Sequence, residues 1–191
     1  MKKFLFVLLC IFAFSGNVLA TPTLNALNGH YYEVIPFVDN CWNDLYSWQE
    51  AYDHSISQVY NGASGHMTTV TSQEEWNFIT TLSGFGNDLW LGGYQAGSDF
   101  GGPNNDWEWV NGEGDFTFVA WSAGEPNEAG IGFEDRLETW NNGWWNDSLG
   151  NINQGYIIEY DTPMAPVPEP ATMMLFGLGL LGLAGVSRKR K

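Results

Sequence analysis

Apolar positions recur with a helical period in the first half of the chain and with a strand period in the second. Residues 30–35, His-Tyr-Tyr-Glu-Val-Ile, alternate well enough for an edge strand. Over residues 43–52, Leu45, Trp48 and Ala51/Tyr52 share one face, which predicts an amphipathic helix. A loop with Gly62 and Gly65 leads into a short strand over residues 67–70. Ser72, with Glu75 three positions on, forms a capping-box pattern. It opens a second helix whose buried stripe is Trp76, Ile79 and Leu82. Beyond Gly84-Phe85-Gly86 the period falls to two. Strands are predicted over residues 89–93, 107–110, 116–121, 137–140 and 156–160, interrupted by a turn-rich stretch (97–106) and a long polar segment (122–135). Two helices early and many short strands late predict an α+β fold.

Both ends read as addresses. Lys2 and Lys3 precede an unbroken apolar run over residues 4–14, and Val18-Leu19-Ala20 offers small side chains for cleavage. Residues 1–20 are therefore read as a secretory signal peptide, the run being too short to span a hydrocarbon layer about 30 Å thick. At the other end, a Pro-rich linker and motif (162–170) precede an apolar stretch (171–187) and a basic tail (188–191). The basic residues hold that tail on the cytoplasmic side, so a plain C-terminal anchor is one reading. The order Pro168-Glu169-Pro170, apolar helix, basic cluster resembles the bacterial PEP-CTERM sorting signal. The resemblance implies cleavage near the motif by a membrane protease of the exosortase type, and a link to exopolysaccharide export. It also implies an inner-membrane segment before processing, with the product at the cell surface or in the extracellular matrix.

Trimming the ends sharpens the charge. Residues 21–161 form one domain by length, with 21 acidic residues against Arg136 alone, a net charge of about −20. Such a field repels nucleic acid and anionic membrane surfaces and favours divalent cations. Salt adaptation or solubility also accounts for acidity. The same segment holds all ten tryptophans and all eight tyrosines, so it can bury a core. Cys10 leaves with the signal peptide, which removes any intrachain partner for Cys41. Stability then has to come from the core, from bound metal, or from both.

Calcium takes six to eight oxygen ligands at about 2.3–2.6 Å. Glu125-Pro126-Asn127-Glu128, Glu134-Asp135 and Asn146-Asp147 supply such oxygens close together in sequence, without the nitrogen or sulfur donors that zinc prefers. An X-Pro bond adopts cis at modest cost, and a cis Glu125-Pro126 bond would aim Glu125 and Asn127 at one point. The composition fits an ordinary polar loop as well.

Motif order goes further. Trp48-Gln49-Glu50-Ala51, residues 65–70, residues 72–79, Leu89-Trp90-Leu91-Gly92-Gly93, Trp107-Glu108-Trp109 with Gly112, Trp121 and Trp145-Asn146-Asp147 follow the order and spacing of a C-type lectin-like domain. The mature chain resembles that family along most of its length, and Glu125-Pro126-Asn127 resembles its mannose-type triplet. The resemblance implies two helices packed on short antiparallel sheets with a long calcium-binding loop region. It implies that Glu125, Asn127, Glu134, Asn146 and Asp147 ligate Ca2+ and also hold two vicinal equatorial hydroxyls of a mannose-, glucose- or fucose-type carbohydrate. Three departures stand out: Ser55, Arg136 and Ile158 occupy positions where the family has cysteines.

Among the tryptophans, Trp145 is expected in the core, while Trp140 and Trp144 are candidates for stacking on a sugar face. His66 is expected to be a structural side chain, and His30 and His54 have no recognisable partners in the sequence. A single basic residue and no nucleophile motif argue against an enzyme, although paired carboxylates such as Glu125 and Glu134 are what a glycosidase uses. The competing reading is a lectin-like fold that serves as a protein-binding or structural matrix module without reading sugar.

Overall fold

The computed structural model describes residues 21–36, 46–96, 106–128 and 133–161. The expected signal peptide, Cys41, most of the turn-rich stretch and the whole C-terminal signal lie outside the described residues. In chain order the elements are β1 (Thr23–Leu24), β2 (Tyr31–Ile35), α1 (Trp48–Ser57), β3 (Val59–Tyr60), β4 (Ala63–Met67), α2 (Gln73–Ile79), β5 (Leu89–Gln95), β6 (Trp107–Trp109), β7 (Arg136–Trp140), β8 (Trp144–Ser148) and β9 (Gly155–Tyr160). This is the α+β arrangement that the sequence pattern predicts.

The last strand organises the rest. β9 is buried along its whole length. It pairs antiparallel with β2 on one edge, from Tyr31 opposite Tyr160 to Ile35 opposite Tyr156. On its other edge it meets β5 in parallel at its start and β4 antiparallel at its end. That parallel pairing is the exception to an otherwise antiparallel sheet, and β2 is flanked by β1 instead of lying at an edge.

Successive strand side chains point to opposite faces, so β9 feeds two cores. Tyr156, Ile158 and Tyr160 pack with Trp48 and Ala51 of α1, Met67 of β4 and Trp90 of β5. Ile157 faces the other way, into a cluster with Trp76 and Ile79 of α2, Leu137, Trp109 and Trp145. Fully buried Trp145 is the hub of that second core, as expected of it. The rings of Trp76, Trp109, Phe118 and Trp121 meet it edge-to-face at centroid distances of 5.5, 5.9, 5.6 and 5.8 Å. Edge-to-face pairs contribute about 0.5–1.5 kcal/mol each beyond the burial itself.

Local capping moved the first helix later than the periodicity predicts and started the second at Ser72, as expected. α1 begins at Trp48 because Ser47 closes a complete capping box with Glu50: the Ser47 hydroxyl accepts from the Glu50 amide, and the Glu50 carboxylate accepts from the Ser47 amide at 2.9 Å. At α2, Ser72 accepts from the Glu75 amide at 3.2 Å, but the box is only half made. The Glu75 carboxylate is drawn instead to the Thr71 amide at 2.7 Å and the Tyr32 hydroxyl at 2.6 Å. The strand expected over 116–121 is reduced to one bridge between Trp121 and Trp145, because its aromatic residues pack into the second core. The strand expected over 67–70 lies earlier, in β4, where Gly65 sits against the Ser55 carbonyl too closely for a Cβ.

The three positions without cysteine are all engaged. Ser55 is fully buried and its hydroxyl donates to the Tyr52 carbonyl at 2.8 Å. Ile158 is part of the first core. The Arg136 guanidinium lies 4.6 Å from the Trp48 ring centroid and pairs with Asp135 at 2.9 Å. Aromatic packing and one shielded cation stand where covalent links would.

Candidate functional site

The segment after the second core is stapled to β8 by backbone. The Trp145 amide donates to the Ala120 carbonyl at 2.8 Å, and the Ser122 amide donates to the Trp145 carbonyl at 2.8 Å. The Glu125 amide then donates to the Ser122 carbonyl at 3.0 Å, closing a turn that delivers Glu125 beside the end of β8. The Glu125-Pro126 peptide bond is cis, and Pro126 is buried.

Asp147 is the anchor of this region. Its neighbour Trp145 points into the core two positions earlier on the same face, so Asp147 continues that inward column and is fully buried. Its carboxylate accepts from the Asn127 amide at 3.0 Å, through each oxygen, and from the Glu128 amide at 2.9 Å. Glu128 takes a left-handed backbone conformation (φ 50°) to present that amide. A non-glycine residue held there is uncommon and strained, and such residues concentrate at functional sites.

The side chains crowd negative charge. Glu125 is pushed above the usual carboxylate range by burial first, then by the charge and contact of Asp147 and by the charge of Glu134. A hydrogen bond from Asn127 opposes part of this rise. One oxygen of Glu125, Oε2, is buried without a hydrogen-bond partner, and so is Oε1 of Glu128. Burying carboxylate oxygens beside other carboxylates is costly unless a proton or a cation lies between them. Arg136 does not serve, since it is turned to Asp135 and the Trp48 ring.

Of the sequence-predicted residues, Glu125, Asn127, Glu134 and Asp147 are thus brought together. Asn146 lies next to them in sequence but its amide is engaged elsewhere. It donates to Glu138 Oε1 at 2.8 Å and to the Asp147 carbonyl at 2.6 Å. Glu128 belonged to the oxygen-rich segment read from the sequence but not to the expected ligand set, and Glu138 to neither. No sequence signal marked Glu138, which faces Asn146 across the β7–β8 hairpin.

A second acidic cluster lies at the C-terminal end of β9. His30 Nδ1 is 2.7 Å from Glu159 and 3.3 Å from Asp161, and His66 Nε2 is 3.0 Å from Asp161. His30, Glu159 and Asp161 offer ligand atoms within 4.8 Å of one another. Fully buried Glu159 also accepts from the Tyr32 hydroxyl at 2.8 Å and the Thr69 amide at 2.9 Å. This corrects the expectation for His30, which does have partners; His54 has one too, in the Tyr156 hydroxyl.

Comparison with known proteins agrees with this architecture. Residues 166–191 match the PEP-CTERM protein-sorting motif, the mark of an exported protein processed at its C-terminus. The chain is 28% identical over 156 residues to halomucin of Haloquadratum walsbyi, an alignment that covers 72% of this chain but 2% of that protein. Among solved structures, human lithostathine superposes with a TM-score of 0.56 at 19% identity, covering 72% of this chain and 96% of that one. The C-type lectin domain of murine dendritic cell inhibitory receptor 2, solved with an N-glycan, superposes with a TM-score of 0.51 at 23% identity, covering 68% and 89%. No helix among the described residues is long and apolar enough to cross a membrane. The chain therefore carries a C-type lectin-like fold followed by a PEP-CTERM protein-sorting motif.

Proposed function

We propose that this protein binds carbohydrate through a calcium ion held by Glu125, Asn127, Glu134, Asn146 and Asp147. The observation that carries the reading is the buried, unpartnered Oε2 of Glu125, set beside the Asp147 carboxylate with Glu134 close by. The donors are all oxygen, which suits calcium and not zinc or copper. Calcium, when bound, neutralises the carboxylates and offers open positions to two vicinal hydroxyls of a mannose-, glucose- or fucose-type sugar.

The chain's own groups then set the hydrogen-bond pattern. Glu125 and Glu134 accept from the sugar hydroxyls, while the Asn127 side-chain amide donates. Asp147 ties the Asn127 and Glu128 amides to β8, which fixes the loop on the second core. The alternative reading is a matrix or adhesion module that does not read sugar. It draws on one observation: the Asn146 amide is committed to Glu138 and the Asp147 carbonyl.

Secretion through residues 1–20 and exosortase-type processing at Pro168-Glu169-Pro170 complete the proposal. They would place the domain at the bacterial surface or in an exopolysaccharide matrix, with transient or permanent anchoring through residues 171–187. A glycan array run with calcium and again with a chelator tests the sugar reading. Binding lost with chelator and in Asn127→Ala supports it; an array that stays blank with calcium favours the matrix module.

A further inference from the structure

The outer face of the β7–β8 hairpin carries a cavity of about 490 Å3, lined by Asp88, Glu138, Trp140, Ser148, Ile152 and Gln154 among others. That volume lies within the range of small-molecule sites, roughly 300–1,000 Å3. Directly opposed residues of an antiparallel pair share a face. Glu138 opposite Asn146, and Trp140 opposite Trp144, therefore project together, away from the Leu137 and Trp145 core.

Its chemistry is specific. Gln154 is 4% exposed, and its backbone amide is fixed to the Tyr46 carbonyl at 3.0 Å. The Gln154 side-chain amide donates through Nε2 to Glu138 Oε2, which fixes its orientation, since the flipped amide would set oxygen against carboxylate. Gln154 Oε1 is left buried with no partner. Glu138 is also buried, and burial pushes its carboxyl above the usual range against the pull of Gln154, Asn146 and Ser148. Beside these acceptors Trp140 is 44% exposed and Ile152 42%. No basic side chain lines the cavity.

We propose that this cavity is a second sugar subsite, taking the next hexopyranose of a neutral glycan whose terminal residue occupies the Glu125–Asp147 site. A pyranose has the matching surface: an apolar face of C–H groups for Trp140 and hydroxyl donors for the unpartnered Gln154 carbonyl. Asp88 and Glu138 repel an anionic sugar. Asn146 joins the two sites, adjoining Asp147 in sequence while its amide holds Glu138. The sugar class rests on the carbohydrate reading above, but occupancy of the cavity does not require calcium.

The test follows the Trp140 indole N–H by NMR, assigned with Trp140→Phe, during titration with mannotriose, methyl α-mannoside and trigalacturonate. With chelator, mannotriose should still shift the Trp140 signal, and trigalacturonate should not. With calcium, Trp140→Ala should weaken mannotriose binding about tenfold, as expected for truncating one aromatic contact, while methyl α-mannoside is unaffected. Gln154→Leu should give the same selective loss. A Trp140 signal that mannotriose leaves unmoved in both conditions, or equal losses for monosaccharide and trisaccharide, overturns the subsite. A shift that persists with chelator while no calcium-dependent binding exists sinks the primary site and leaves this one standing.

Discussion

Two carboxylate clusters in this domain differ in how their charge is met. Around Glu159 the protein supplies its own compensation, with His30, the Tyr32 hydroxyl and the Thr69 amide all within hydrogen-bonding distance. Around Glu125 it supplies little: Asn127 donates, Asp147 and Glu134 repel, and a buried oxygen is left over. The cluster closest to a metal-ligand arrangement by distance alone, His30–Glu159–Asp161, is thus the one already satisfied. The difference teaches that unmet charge, more than proximity of ligand atoms, is what makes the Glu125 cluster the candidate cation site.

The comparison can be broken hardest at Glu159. Glu159→Ala leaves His30 and the Thr69 amide without their buried partner, and removing one member of a buried charged pair costs about 3–5 kcal/mol. Denaturant unfolding should show that loss equally with and without calcium. At the other cluster, calcium at a hundred times its Kd should stabilise the wild type by about 2.7 kcal/mol. Asp147→Ala should erase that response, and should itself cost about 1–3 kcal/mol by unpairing the Asn127 and Glu128 amides. A calcium-induced rise in Tm that survives in Asp147→Ala would show the ion to be elsewhere.

Acidity separates the clusters next. Burial alone would lower the His66 pKa, but its bond to Asp161 and the nearby charge of Glu159 push it up to about 9. Because the folded value lies above the unfolded one, this contribution is complete below about pH 6.5 and is lost as pH rises through about 9. Melting temperatures should fall across that window in the wild type and change less in His66→Gln. Glu125 moves the other way in consequence: its raised pKa penalises the charged apo form, and protons compete with a cation. Calcium-dependent binding should weaken on acidification at a higher pH than an ordinary glutamate would give, as titration calorimetry over mildly acidic pH can measure.

The smallest expected effect lies at Asn146. Asn146→Asp keeps an oxygen for the proposed ion but loses the amide that bonds Glu138. It should weaken sugar binding while leaving a calcium-induced Tm shift in place.

How much of this was legible in the chain depends on the range of the forces involved. The β9 alternation of Tyr156, Ile158 and Tyr160 against Ile157 reads directly as two-sided burial, and the structure fills both sides. Ser47–Glu50 and Ser72–Glu75 look alike as local patterns. Thr71 beside the cap and Tyr32, forty-three positions from Glu75, together draw the second carboxylate away from it. Glu125, Asn127, Glu134 and Asp147 could be named from the family resemblance of their motifs, and the fold gathers them. The roles of Asn146 and Glu138 could not be read, because they are set by register across the hairpin.

The sequence by itself determined the α+β class, the helical and strand periods, the acidic surface with one internal cation, and the residue types able to meet a calcium ion. Those are properties of composition and of spacing within a few residues. Tertiary structure alone decided which carboxylates are compensated, since His30 and Glu159, or Asn127 and Asp147, meet only after the strands pair. Burial then converts that meeting into energy: a charge that water would have tolerated must find a partner within the fold, and Glu125 Oε2 finds none among the described residues.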